Sequence, residues 1–192
     1  KAGFCYIAER GEPSDVLPRI VEAFGRAGIA LANPLTRRTT RLADDGDQVD
    51  ASVPDMVRAA DVRSWVSFQL WYSSDTDVVC SFRRLDAGLV RHAYPLDGLN
   101  ADERDRIIRW ATEYFRQAAT EGTAQLLVVD PPGRAADVDW DAVVKQIVGF
   151  PVIVSDVVGL PSGSVEGLRL GRRYEKERVG RFELLKAIAE EP

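Results

Sequence analysis

The chain has 192 residues, 45% of them hydrophobic and 29% charged, enough for one domain with a sizeable core. Lys plus Arg number 25 against 30 Asp plus Glu, a net charge of −5. That balance argues against general affinity for nucleic acid, which needs a basic surface to displace counterions. One histidine, two cysteines and one methionine are too few for a zinc cluster or a paired-histidine mechanism within one copy of the chain.

No stretch approaches the roughly 18 apolar residues that cross a bilayer, so no membrane association is expected. Residues 1–7 lack the long apolar run of a signal peptide, and Cys5 and Cys80 fall on separate strands. The expectation is a reduced, cytoplasmic protein with two small buried thiols.

Residues 4–8 read as a first strand. Gly11, Pro13 and Ser14 make a turn, and Ser14 or Asp15 caps a helix ending near Gly28. Leu17, Ile20, Val21, Phe24 and Ala27 form its apolar face, and Pro18 is tolerable in the first turn. Residues 29–32 begin a short strand. From 33 to 52 the pattern dissolves into Thr, Arg, Asp and Gly, a long loop, and 53–60 adds a short helix.

Residues 65–72, 78–83 and 89–94 alternate as three consecutive antiparallel strands. Val66, Phe68, Leu70 and Tyr72 share one face of the first, and Trp65, Ser67, Gln69 and Trp71 the other. The clearest helix follows. Asn100 with Glu103 resembles a capping box, Ile107, Ile108, Ala111, Tyr114, Phe115 and Ala118 make the apolar face, and Gly122 closes it.

A buried strand over 125–129 then stops at Asp130-Pro131-Pro132-Gly133. Asp137 or Asp139 caps a helix reaching about 148, and 151–158 is a further strand. After a Gly/Ser-rich connection over 161–171, residues 172–190 read as a C-terminal helix with Val179, Phe182, Leu185 and Ile188 as its stripe. Helix, glycine cap, short strand and proline occur at 16–34 and again at 101–131. The single domain is therefore expected to hold two related halves, 1–60 and 61–160. Strands and helices do not alternate regularly. This predicts an α+β fold, a mainly antiparallel sheet containing the three-strand meander with helices packed on one face.

Among candidate sites, Trp65 and Trp71 stand out on the polar-alternating face, with Arg83 projecting from the next strand. Tryptophan and arginine are enriched where proteins bind partners. Arg37, Arg38 and Arg41 form a cationic cluster directly before Asp44 and Asp45. Val49, Ala51 and Val53 break the grammar of a calcium loop there, so no metal is expected. No cofactor is expected either, because no P-loop, dinucleotide glycine pattern or nucleophile elbow is present.

The leading expectation is a non-catalytic, intracellular protein-binding module. Its partner-binding residues are Trp65, Trp71, Arg83, Arg37, Arg38, Asp44 and Asp45. One form is an immunity or inhibitor protein whose acidic charge matches the basic surface of a toxin or other enzyme. The alternative is a small-molecule-binding protein or enzyme with a carboxylate/arginine pocket of His92, Asp97, Asp130 and Arg134. A homodimer formed through the tryptophan face is a third expectation.

Overall fold

The computed structural model describes residues 2–188, and these form ten strands in one antiparallel sheet. The elements run β1 (Phe4–Arg10), α1 (Pro13–Arg26), β2 (Thr40–Leu42), β3 (Gln48–Asp50), α2 (Val53–Arg63), β4 (Trp65–Trp71), β5 (Asp77–Asp86) and β6 (Leu89–Pro95). They continue with α3 (Ala101–Glu121), β7 (Ala124–Asp130), α4 (Trp140–Val144), β8 (Val157–Pro161), β9 (Tyr174–Val179) and β10 (Phe182–Ala187). Spatial order is β3-β2-β4-β5-β6-β1-β7-β8-β10-β9, so the first strand sits in the middle and the expected meander β4–β5–β6 is intact.

Period-two alternation sorts each strand's side chains between two cores. On one face Ile7, Phe68, Phe82, Tyr94 and Leu127 pack against Leu17, Ile20 and Phe24 of α1, Met56 of α2 and Phe115 of α3. The ends of α2 and α3 are well specified. By contrast, α1 begins at Pro13 after Glu12, which makes no side-chain cap, so the expected cap at Ser14 or Asp15 is not formed and both residues lie inside the helix. Asn100 and Glu103 form a reciprocal capping box at α3, and Gly122 closes it at φ 79°. Ser52 and Asp55 do the same for α2.

The opposite face is only partly covered. Tyr6, Ala8, Leu126, Val128, Val158 and Leu185 lie beneath the segments flanking β8 within residues 131–171, which contribute Trp140, Val143, Ile153 and Val165. Thus α1, α2 and α3 occupy one face as expected, while the short α4 belongs to a cap on the other.

Several sequence expectations are corrected. The helix read over 172–190 is the β9–β10 hairpin as far as residue 187, and 189–190 lie outside the described residues. Its three-residue apolar spacing mimics a helix, but Gly180 turns the chain at φ 59° and Phe182 pairs back on Val179. β10 is buried on both faces, which explains its adjacent Leu184 and Leu185.

The strand read over 151–158 is displaced to β8, and Ile153 makes only an isolated bridge to Leu170. Proline at 151 lacks the amide a ladder needs. The helix to 148 stops at Val144, capped by Asp139 as expected, with Gln146 in a left-handed conformation. Residues 29–32 supply one bridge, Ala30 to Trp71, instead of a strand. The 33–52 loop contains the β2–β3 hairpin, turned at Gly46 and begun by Asn33, whose side chain accepts from the amides of Leu35 and Thr36.

No helix among the described residues is long and apolar enough to cross a membrane. Cys5 and Cys80 are free and buried on β1 and β5.

Candidate functional site

One row of side chains crosses the whole sheet on the capped face. It runs Gln48, Leu42, Ser67, Ser81, Ala93, Tyr6, Val128, Val158, Leu185 and Lys176, each opposite the next. Its chemistry changes between Ala93 and Ser81, where the cap ends. Beyond that line the β4–β5 face carries Trp65, Ser67, Ser81 and Arg83, with none of the described helices packed over it.

Asp141, in α4, marks the boundary. Its Oδ1 accepts from the Tyr6 hydroxyl at 3.0 Å and lies 3.6 Å from Arg91 Nε, while Oδ2 is 3.4 Å from Arg83 Nη1. The cap is thereby pinned to the sheet and Arg83 is drawn to its rim.

The β4–β5 register places Trp65 directly opposite Arg83, and Arg83 opposite Arg91. Trp65 is 38% exposed, the first residue after Ser64, which ends α2 in the left-handed conformation at φ 63°. Beside it lies a hollow of about 410 Å³ bounded by Ser64, Arg83, Arg84, Asp141, Lys145 and Ile147. Ile147 is 68% exposed, so the hollow has an apolar rim beside a wall of mixed charge that includes Arg83, the residue opposite Trp65.

Trp71 shares the strand face but stands six residues further on, about 20 Å at the usual strand rise. It is half-buried, and its main chain is bridged by Ala30. Between the two indoles, Gln69 is buried, accepting from Thr40 Oγ1 at 2.5 Å and donating to Asp77 at 2.9 Å. The two tryptophans therefore do not make one patch.

The charged residues of the 33–52 segment divide in the same way. Leu42 opposite Ser67 carries the following positions toward Trp65, and Asp44 pairs with Arg63 at 2.8 Å at that end. Asp45 accepts from the amide of Asp47. Arg38 pairs with Asp50 at 2.7 Å toward the Trp71 end, and Arg37 takes the left-handed conformation at φ 61°. These ion pairs are exposed and contribute little.

The four residues of the alternative pocket are not brought together. His92 points into the helix-side core, whereas Asp130 lies opposite Phe4 on the other face. Asp97 accepts from the amide of Gly3, and Arg134 faces Asp156 at 3.5 Å. Asp130 is fully buried with one oxygen bonded to the Ala135 amide.

His92 instead sits in a sealed polar cluster. Its Nε2 is 3.1 Å from Glu9 Oε1 and its Nδ1 is 2.7 Å from the Tyr94 hydroxyl. The same Glu9 oxygen accepts from Tyr114 at 2.7 Å, and the other oxygen pairs with Arg19. A carboxylate acceptor assigns the proton to Nε2, which leaves Nδ1 to accept from Tyr94. Burial pushes the His92 pKa down, outweighing the opposing hydrogen bond and charge of Glu9, so the ring is neutral. Burial pushes both tyrosine hydroxyls up. With Glu9 and His92 at 0% exposure, this cluster cements β1, β6, α1 and α3 and offers no approach to substrate.

Glu9 and Arg19 escaped the sequence reading, as did Asp141, Lys145 and Ile147, and Tyr114 was read as part of an apolar helix face without its hydroxyl's bond to Glu9. A trace of the first was legible: Cys5, Ile7 and Glu9 share one strand face, which puts a carboxylate where the alternation calls for an apolar residue. Comparison with protein-family models, curated proteins and solved structures finds no match for this chain.

Proposed function

We propose that the protein is a non-catalytic binding module whose partner docks on the uncapped sheet at the Trp65 end. The observation that carries this reading is the half-exposed indole of Trp65 opposite Arg83, beside a hollow rimmed by exposed Ile147. Large aromatic and arginine side chains in such a setting supply most of the energy of protein association. The sealing of His92 and both thiols inside the core adds support, since it withdraws the chain's most reactive groups from solvent.

The partner is an acidic surface with an apolar projection. Asp141 is committed to Tyr6 and two arginines, Asp139 caps α4 and Arg84 is held by Asp61, which leaves Lys145 and the exposed side of Arg83 to meet a partner's carboxylates at the hollow. An inhibitor or immunity protein is one form of such a module. Its target here is acidic at the contact, the opposite of what net charge suggested. A cytoplasmic setting suits the two free thiols.

The test is affinity purification of tagged protein from its own cells in parallel with Trp65→Ala and Arg83→Glu. The reading expects a stoichiometric, salt-sensitive partner that both variants lose while their melting temperatures hold. Retention of the same partner by both variants overturns it. Sedimentation of the purified protein identifies a second copy as the partner if Trp65→Ala turns a dimer into a monomer.

A further inference from the structure

On the far side of the sheet, a cleft of about 700 Å³ opens between the C-terminal end of α1 and the exposed face of α3. Its size falls within the range of small-molecule sites. Helical spacing aligns Arg106, Arg109, Trp110, Glu113, Tyr114 and Gln117 along one wall, and Ala23, Ala27 and Gly28 keep the other wall low. We propose that this cleft binds a small organic anion, an oxyanion head on a flat apolar body.

Charge selects the head. Glu113, the carboxylate of the cleft, is paired with Arg116 at 3.1 Å, and Arg26 is paired with Glu22 at 2.6 Å. Arg109 has no hydrogen-bond or ion-pair partner among the described residues. Arg106 stands over the Tyr72 ring at 5.6 Å without a carboxylate. Two uncompensated guanidiniums on successive turns, in a chain of net charge −5, form a local anion trap. Carboxylate and phosphate heads suit guanidinium alike.

The floor selects the body. Trp110 is 6% exposed and stacks on Phe24 with ring centroids 3.7 Å apart, so it is a rigid apolar base. Tyr114 beside it has its hydroxyl committed to Glu9. The indole N–H of Trp110 is buried without an acceptor among the described residues, so its resonance is a sensitive reporter of what stacks on the cleft floor. This inference stands apart from the docking reading, because the cleft and Trp65 lie on opposite faces of the sheet.

The experiment titrates the protein with phenyl phosphate and with benzoate, using inorganic phosphate and phenol as controls. Heat of binding and the Trp110 indole N–H resonance are followed. Saturable binding of either aromatic anion at millimolar concentration is expected, with the indole resonance shifted. Arg109→Ala and Arg106→Ala are each expected to weaken it at least about ten-fold, the loss of one charge-assisted hydrogen bond. Both arginines are surface side chains, so the variants fold, and unchanged melting temperatures verify this. Absence of saturable binding, or equal binding by both variants, overturns the proposal. So does equal binding of inorganic phosphate with no indole shift, which marks an adventitious ion only.

Discussion

Glu9 on β1 and His92 on β6 meet at 3.1 Å across paired strands, with neither side chain reaching solvent. Tyr94, Tyr114 and Arg19 complete the cluster, so one carboxylate holds together groups from two strands and two helices. The chain's lone imidazole is thus part of the scaffold, and of this cluster Tyr114 alone also lines the cleft beside α3.

The cluster makes stability pH-dependent. Because burial lowers the His92 pKa below its usual 6.5, the unfolded chain takes up a proton that the folded ring refuses. Stability is therefore full above about 6.5 and falls as pH drops toward the folded value, by at most about 1.4 kcal/mol per pH unit. Glu177, held down to about 2 by Arg116 and Lys186, gives its contribution away only below its usual 4.5. Urea unfolding between pH 5 and pH 7 is expected to show the slope in the parent and a flatter one in His92→Gln.

Removing the acceptor leaves Arg19, Tyr114 and His92 donors stranded in or beside the core. Glu9→Ala is expected to cost about 3–5 kcal/mol, the range for breaking a buried ion pair by one partner. Denaturant midpoints measure this directly, and a loss under about 1 kcal/mol contradicts the assignment.

Neighbouring aromatics on β4 separate scaffold from surface. Phe68 is fully buried, and Phe68→Ala is expected to cost about 3–5 kcal/mol. Trp65→Ala should cost clearly less than Phe68→Ala, since 38% of the residue already meets water. Equal losses in thermal unfolding of the two variants would place the Trp65 indole in the core.

Glycine substitutions test the packing of α1 and α3 with opposite signs. Gly25 is in α1 at an exposed position with nothing within 4 Å of a built Cβ, so Gly25→Ala should stabilise by about 0.5–1 kcal/mol. A Cβ at Gly159 meets the Phe115 ring at 2.5 Å, and Gly159→Ala should destabilise by about 1–3 kcal/mol. Differential scanning calorimetry of the pair reads both signs.

Burial raises the Cys80 thiol to about 12 and pushes the Cys5 thiol up further. Neither forms appreciable thiolate at neutral pH. An aromatic disulfide reagent at pH 8 is expected to label neither cysteine in the native protein and both in denaturant. Prompt native labelling of either residue contradicts the described core.

Local chemistry was readable wherever one segment carried its own instructions. The capping pair Asn100 and Glu103, the stop at Gly122, and the alternation of Val66, Phe68 and Leu70 all name their structure within a few residues. From that follow the antiparallel α+β class and the meander. At the C-terminus the same rules misled, because Val179, Phe182 and Leu185 satisfy a three-residue spacing and only the pairing of β10 with β8 and β9 makes them strand.

Position in the sheet belonged to tertiary structure. Nothing near His92 in the chain announces that Glu9, 83 residues away, will be its acceptor, or that the cap will leave Trp65 open while Asp130 is enclosed. Backbone periodicity is set by nearest neighbours, whereas strand order and the reach of the 131–171 cap are settled by which apolar faces can be buried together. Those faces are assembled from segments distant in sequence, and so are both of the surfaces proposed for binding.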